Sequence, residues 1–270
     1  MTNSSLQTIN ASGYPLQVAL HGSVDSETHR HGWQVRYAEH EWSTLDRARN
    51  GFADLVVVDK NSAVFAVIEC KRVRDTEWVF FHSDGDTQDR RHAQAWLSQF
   101  YQGAFKQYGW TQLQIEPFCP EVQFCAVRGQ STKDGVTILE KTAAEVALAT
   151  ECIAREHKDL RRDSDTDIKV FFPVIATTAK LRIAKFDPKT ISLQDGIVPN
   201  AEFIDVSYVR FRKQLGVVRP GDQSPPLSLA DDIAYLKEST VFVVHAPAMN
   251  EFLSRVNIQG AGLASNVRAA

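Results

Sequence analysis

Residues 52–73 read FADLVVVDKNSAVFAVIECKRV. Two apolar runs, FADLVVVD (52–59) and AVFAVIECKRV (63–73), flank the turn chemistry of DKNS (59–62). Each run is continuous rather than alternating, as in central strands covered on both faces. So short a spacer makes them an antiparallel hairpin. With 60–63 as the loop, position 59 faces 64, and the register carries outward until Asp54 stands opposite Glu69. Directly opposed residues lie roughly 4.5–5.5 Å apart at Cα and share one face of the sheet. Period-two alternation puts Lys71 on that same face and Cys70 on the other.

Two acids and a lysine thus converge where two apolar strands end. Adjacent carboxylates repel, and one is driven to hold its proton unless a cation joins them. Mg²⁺ suits the place: it takes oxygen ligands, typically one or two carboxylates plus waters and phosphate oxygens. Such an ion polarises a phosphoryl group and lowers the pKa of a bound water. Lys71 beside a scissile phosphate would balance the developing charge. The bare pattern D-x(10–20)-[DE]-x-K arises about once by chance in a chain of this length. Its position at the ends of two paired apolar runs is what makes it specific.

The flanking sequence predicts an α/β layer sandwich around a mixed sheet. Tyr14 to about Glu27 reads as a helix and Trp33–Trp42 as a strand. His92–Tyr108 has a broad apolar face at helical spacing, with Gly109 as its stop. Residues 121–129 read as a strand, and Glu140 to about Leu160 as a second long helix. Residues 167–176 and 180–187 read as a further strand pair, 240–246 as a strand and 248–256 as a helix. The first dozen residues are polar and read as loose. The Pro-rich stretch 217–228 is the best boundary. The expected organisation is a core over 1–130, its continuation over 131–216, and a C-terminal strand and helix extension over 217–270.

Composition narrows the class. The chain has 270 residues, 43% hydrophobic and 23% charged, so it folds around a sizeable core rather than staying disordered. No apolar run approaches the ~20 residues of a spanning helix, which argues against a membrane partner. A net charge of -3 means that any anionic partner must meet a local basic patch. Cysteines 70, 119, 125 and 152 form no C-x2-C pair, and MTNSSLQTIN has no secretory pattern. Reduced thiols in a cytoplasmic protein are the simplest expectation.

The segment FADLVVVD…AVIECKR resembles the PD-(D/E)xK nuclease superfamily, which has the restriction-endonuclease-like fold. The resemblance covers about the first half of the chain. It implies an αβββαβ core, with the Asp on the second core strand and Glu-x-Lys on the third. It also implies a Mg²⁺-dependent phosphodiesterase, with Mn²⁺ as a substitute, usually acting on DNA. On that basis Asp54 and Glu69 are metal ligands, the Cys70 carbonyl is a third, and Lys71 is the catalytic lysine. Many members carry a further acid near the first helix or strand. Here Glu39 is preferred, with Glu41 and Glu27 as alternatives. Ala53 stands where the motif's name has Pro. The Q-x3-Y of exonuclease-like members has no counterpart in 88–108, so an endonuclease is favoured, with prokaryotic defence or restriction as the suggested setting. A homodimer or a protein partner in a defence or repair complex fits so neutral a chain. The alternatives are a repair, junction-resolving or RNA-directed nuclease, and a subunit of this fold that binds without cutting.

Other residues carry weaker signals. Arg72, Arg74, Arg90 and Arg91 flank the site in sequence and could hold backbone phosphates. Arg161, Arg162, Arg210, Arg212 and Lys213 are further basic clusters, more simply read as solvated faces. Trp78, Phe80 and Phe81 could stack on bases, but core packing is the simpler reading. His29, His31 and His40, and separately Cys119 and Cys125, lack metal-ligand spacing. His82 is a candidate general base. The sequence has no G-x4-G-K-[ST] loop and no G-x-S-x-G elbow.

Overall fold

The computed structural model describes residues 4–74, 76–83, 92–127, 136–158, 166–215 and 238–259, and the backbone of 267–268. It opens with helices α1 (Ser4–Ala11), α2 (Tyr14–Ser26) and α3 (Thr28–His31). Strands β1 (Trp33–Ser43), β2 (Asn50–Asp59) and β3 (Val64–Lys71) follow. Next come β4 (Glu77–Ser83), β5 (His92–Tyr101), β6 (Ala104–Glu116), β7 (Glu121–Val122) and β8 (Cys125–Val127). Helix α4 (Ile138–Glu156) leads to β9 (Thr166–Thr177), β10 (Lys180–Phe186), β11 (Glu202–Val206) and β12 (Tyr208–Gln214). The described chain closes with β13 (Glu238–His245), α5 (Met249–Arg255), β14 (Asn257–Gln259) and β15 (Val267–Arg268).

Among the described residues one mixed sheet holds eleven strands, with the path β1-β2-β3-β9-β5-β6-β14-β15 and β13, β12 and β7 branching beside β9. A separate four-stranded sheet has the order β11-β10-β4-β8. Strands β2 and β3 pair antiparallel from Leu55↔Ile68 to Val58↔Phe65, the register expected from the loop 60–63. Strand β9 then runs parallel to β3, from Val64↔Val170 to Lys71↔Thr177. The chain passes from β3 to β9 by way of β4–β8 and α4, the long crossover that a parallel pair requires.

Both faces of the central sheet are covered. Val56, Val58, Phe65, Val67 and Ile175 pack with Ala143, Val146 and Ile153 of α4. On the opposite face Leu55, Val57, Ala66, Ile68 and Val174 pack with Leu20 and Val24 of α2 and with Phe252 and Leu253 of α5. Each Val, Leu, Ile or Phe among them contributes about 1.5–3 kcal/mol on burial. A one-residue slip would send every one of them to the wrong layer, so the register is strongly specified. Helix α4 starts at a capping box: Thr137 accepts from Glu140 N–H, and Glu140 accepts from Thr137 N–H.

Several sequence expectations are corrected. Residues 92–108 are not a helix but most of the β5–β6 hairpin, paired from His92↔Gln114 to Tyr101↔Ala104. Its two-residue turn is Gln102-Gly103, with φ of 48° and 81°, the backbone that a primed hairpin turn needs. Ala93, Ala95 and Leu97 are buried in the α2 layer while Trp96 is buried in the α4 layer. A strand buried on both sides lacks the alternation that would have marked it. Of the strand expected over 121–129, the described residues 121–127 form not one strand but β7 and β8, which lie in different sheets. Strands β9 and β10 do not pair with each other. The N-terminal dozen contains α1. The Pro-rich stretch 217–228 lies outside the described residues. Strand β13 sits within the main sheet, paired to β9 and β12.

Candidate active site

The β2–β3 ladder stops at Leu55↔Ile68, one residue short of the expected acid pair. Continuing it would pair Ala53 with Cys70. Instead the Cys70 N–H donates to Asp54 Oδ2 at 2.6 Å. The carboxylate has replaced a backbone carbonyl, and the two strands part at this point. The Asp54 carbonyl, freed from the ladder, accepts from Gln17 Nε2 of α2 at 2.9 Å.

Strand β1 is faulted at the same level. Ala38 pairs with Leu55 and His40 with Ala53, which sets Glu39 opposite Asp54. Glu39 has φ of 52°, the left-handed region that a side chain other than glycine adopts at a cost. The alternation of faces reverses there on both strands. Tyr37 and Trp42, an odd number of steps apart, both pack in the α4 layer, and so do Ala53 and Val56. Strained backbone held in place by rigid neighbours is a common property of functional sites.

Five charged groups gather at this fault. The Glu69 carboxyl is pushed up to about 8, first by burial, then by Asp54, with Lys71 opposing and Glu145 and Glu39 adding to the rise. The Asp54 carboxyl is also raised, mainly by burial, against the hydrogen bond from Cys70. Glu69 and Glu145 line one cleft of about 260 Å³ between the open strand end and α4, together with Trp42, Arg49, Phe52 and Val146. Cys70 faces the α2 layer, as the alternation from Glu69 requires. Its carbonyl leaves the strand on the same edge as its N–H, toward Asp54.

Asp54, Glu69, Lys71 and Glu39 are therefore close enough to couple electrostatically, while Lys71 lines a separate recess with Cys70, Arg72 and Arg74. The structure adds Glu145, which the sequence reading missed because no motif marks it; only the packing of α4 over β3 brings it near. The alternatives to Glu39 stand elsewhere: Glu27 pairs with Arg30 at 3.2 Å, and Glu41 lies opposite Phe52. Among the described residues no group of three His, Cys, Asp or Glu side chains forms a cage for a metal. The donor set nonetheless fits a hard divalent cation that keeps several waters: two half-buried carboxylates short of positive charge, with a carbonyl beside them.

The basic residues divide. Arg72 donates to the carbonyls of Asn10 and Ser12, and Arg74 to that of Asn10, so both hold the C-terminal end of α1. Arg90, Arg91, Arg161 and Arg162, and the side chain of His82, lie outside the described residues. Arg210 and Arg212 are buried, not solvated. Arg210 bonds the carbonyls of Ile115 and Pro117, and Arg212 pairs with Glu238 and Glu121. Lys213 pairs with Glu140. Trp78 and Phe80 are core residues, while Phe81 is partly exposed. His31 accepts from Trp33 N–H, and His40 meets Glu156 at 2.8 Å. All four cysteines are free. No helix among the described residues is long and apolar enough to cross a membrane.

No family model, curated protein or solved structure matches the chain.

Proposed function

We propose that this protein is a divalent-metal-dependent nuclease that hydrolyses phosphodiester bonds within DNA, with Mg²⁺ as its ion and prokaryotic defence or restriction as its setting. The observation that carries the reading is the open end of the β2–β3 hairpin, where Asp54 and a proton-holding Glu69 stand beside Lys71. The path of the chain supports it as well. With α3 and the inserted strands β4–β8 set aside, helix α2, the meander β1–β2–β3, helix α4 and the parallel strand β9 occur in the order α, β, β, β, α, β, although the last two places are filled far from where the sequence put them.

Asp54, Glu69 and the Cys70 carbonyl would hold the cation, which when bound polarises the phosphoryl group and lowers the pKa of a water. Lys71 supplies positive charge where negative charge grows on the phosphate oxygens. Glu39, across from Asp54, would accept a proton from the attacking water. The Trp42 and Val146 walls limit solvent around Glu69.

The test incubates wild type and Lys71→Ala with supercoiled plasmid, linear duplex, single-stranded DNA and RNA, with Mg²⁺, Mn²⁺ or EDTA. Metal-dependent nicking of plasmid is expected, reduced by about 10²–10³-fold in the variant. Cutting that survives EDTA or the substitution would overturn the reading. Tight binding of DNA without turnover would favour a non-cutting subunit.

A further inference from the structure

We infer that Arg49 is a phosphate clamp, which holds the phosphodiester next to the scissile one and makes the site selective for polynucleotide over a small diester. The inference rests on the nuclease reading and extends it to substrate recognition.

Arg49 closes the turn between β1 and β2, and that turn is built to hold still. Arg49 N–H donates to Thr44 Oγ1 at 3.1 Å, and Thr44 N–H donates to the Arg49 carbonyl at 2.9 Å. Asp46 accepts from Thr44 Oγ1 at 2.5 Å and from Ala48 N–H at 3.0 Å. Just beyond it, Gly51 lies against the Trp42 ring so closely that a Cβ would sit 2.8 Å from it. The backbone that presents Arg49 is therefore pinned on both sides.

The side chain is exposed, and its guanidinium makes no hydrogen bond or ion pair among the described residues. Yet Arg49 lines the cleft that contains Glu69 and Glu145. It also lines a second groove of about 460 Å³, which runs over α4 past Glu145, Ala144 and Lys141 to Lys213 and Leu215. Arg49 and Glu145 are the two residues that both recesses share. Carboxylates in the recess with an unpaired guanidinium at its rim form a charge pattern complementary to a cation beside a phosphate. The planar fork of arginine suits a phosphate with two free oxygens. The groove beyond gives the rest of the strand a path over α4, so the proposed ligand is a chain with a phosphate flanking the scissile one.

The experiment compares wild type, Arg49→Ala and Arg49→Lys on an oligonucleotide and on bis(p-nitrophenyl) phosphate, a diester with no neighbouring phosphate. Arg49→Ala should raise KM for the oligonucleotide roughly tenfold with little change in kcat, and leave the small diester unaffected. The dependence of log KM on log salt should become shallower by about one contact, and Arg49→Lys should recover part of the loss. An unchanged KM and salt slope, or an equal loss on both substrates, would overturn the clamp while leaving the nuclease reading intact. If wild type cuts neither substrate, the nuclease reading fails first. Fluorescence anisotropy of a labelled oligonucleotide with Ca²⁺ still tests Arg49: weaker binding by Arg49→Ala supports the clamp, and equal binding overturns it.

Discussion

Strand β2 carries an aspartate at each end of its apolar run, and the two live in opposite surroundings. Asp59, at the turn, is 1% exposed and accepts N–H groups from Asn61, Ala63 and Val64 at 3.2, 2.8 and 2.8 Å. Asp54, at the open end, accepts one backbone N–H and shares its surroundings with Glu39 and Glu69. The first ties the hairpin shut. The second sits where the ladder is interrupted, and its environment disfavours the charge it carries. A buried acid surrounded by donors stabilises a fold; one beside other acids is disfavoured in its charged form, an arrangement common at binding sites.

Exchanging each aspartate for alanine should break the symmetry most strongly. Asp59→Ala leaves three N–H groups without their acceptor and is expected to cost about 3 kcal/mol in a urea unfolding curve. Its metal-dependent cleavage per folded molecule should persist. Asp54→Ala orphans one N–H, that of Cys70, but removes a charge that burial disfavours, so it should shift the urea midpoint little and abolish cleavage. If Asp54→Ala destabilised as much as Asp59→Ala, Asp54 would be a second structural brace.

The two ends also differ in how readable they were. The apolar runs and the turn between them were legible, because burial on both faces leaves only one register that keeps Val56 and Val67 on the α4 side. That register by itself brings Asp54, Glu69 and Lys71 to one end of the hairpin. The fault at Glu39 and Asp54 was not legible. Strict alternation placed Asp54 on a shared face with Glu69, whereas the ladder ends at Leu55 and the carboxylate turns to the Cys70 N–H. Glu145 was hidden for a related reason: a helix shows which face it buries, but not which strand end that face will cover. The β5–β6 hairpin was misread because apolar residues on both faces mimic a helical stripe, and Gln-Gly is a weaker turn signal than Asn-Gly.

Glu69 gives a smaller, pH-dependent contrast. Its ordinary value is 4.5 and its folded value about 8, so between these the native state keeps a proton that the unfolded chain releases. Native stability therefore falls as pH rises from about 4.5 to about 8, and levels off above that. Glu69→Gln should remove this slope and unfold at a higher temperature than wild type at pH values above 8. On the proposed reading a cation would displace the same proton, so a Mg²⁺-induced rise in Tm should grow through this window in wild type and be absent in the variant. A rise independent of pH, or one retained in Glu69→Gln, would move the cation away from this carboxylate.

The smallest expected effect separates backbone strain from charge at Glu39. A left-handed φ costs a residue with a Cβ about 1–2 kcal/mol, and glycine pays instead with about 0.5–1 kcal/mol of chain entropy. Glu39→Gly should therefore stabilise the fold by about 0.5–1 kcal/mol. Glu39→Gln keeps the strain and removes only an exposed charge, whose effect is well screened, so its urea midpoint should stay near that of wild type. Both variants remove the third acid, and both should slow cleavage to a similar degree. Equal stabilisation by Gln and Gly would assign the strain to carboxylate repulsion rather than to the backbone. A Gly variant that kept full activity would show that the fault serves to part the strands around Asp54, and that the Glu39 carboxylate takes no part in the chemistry.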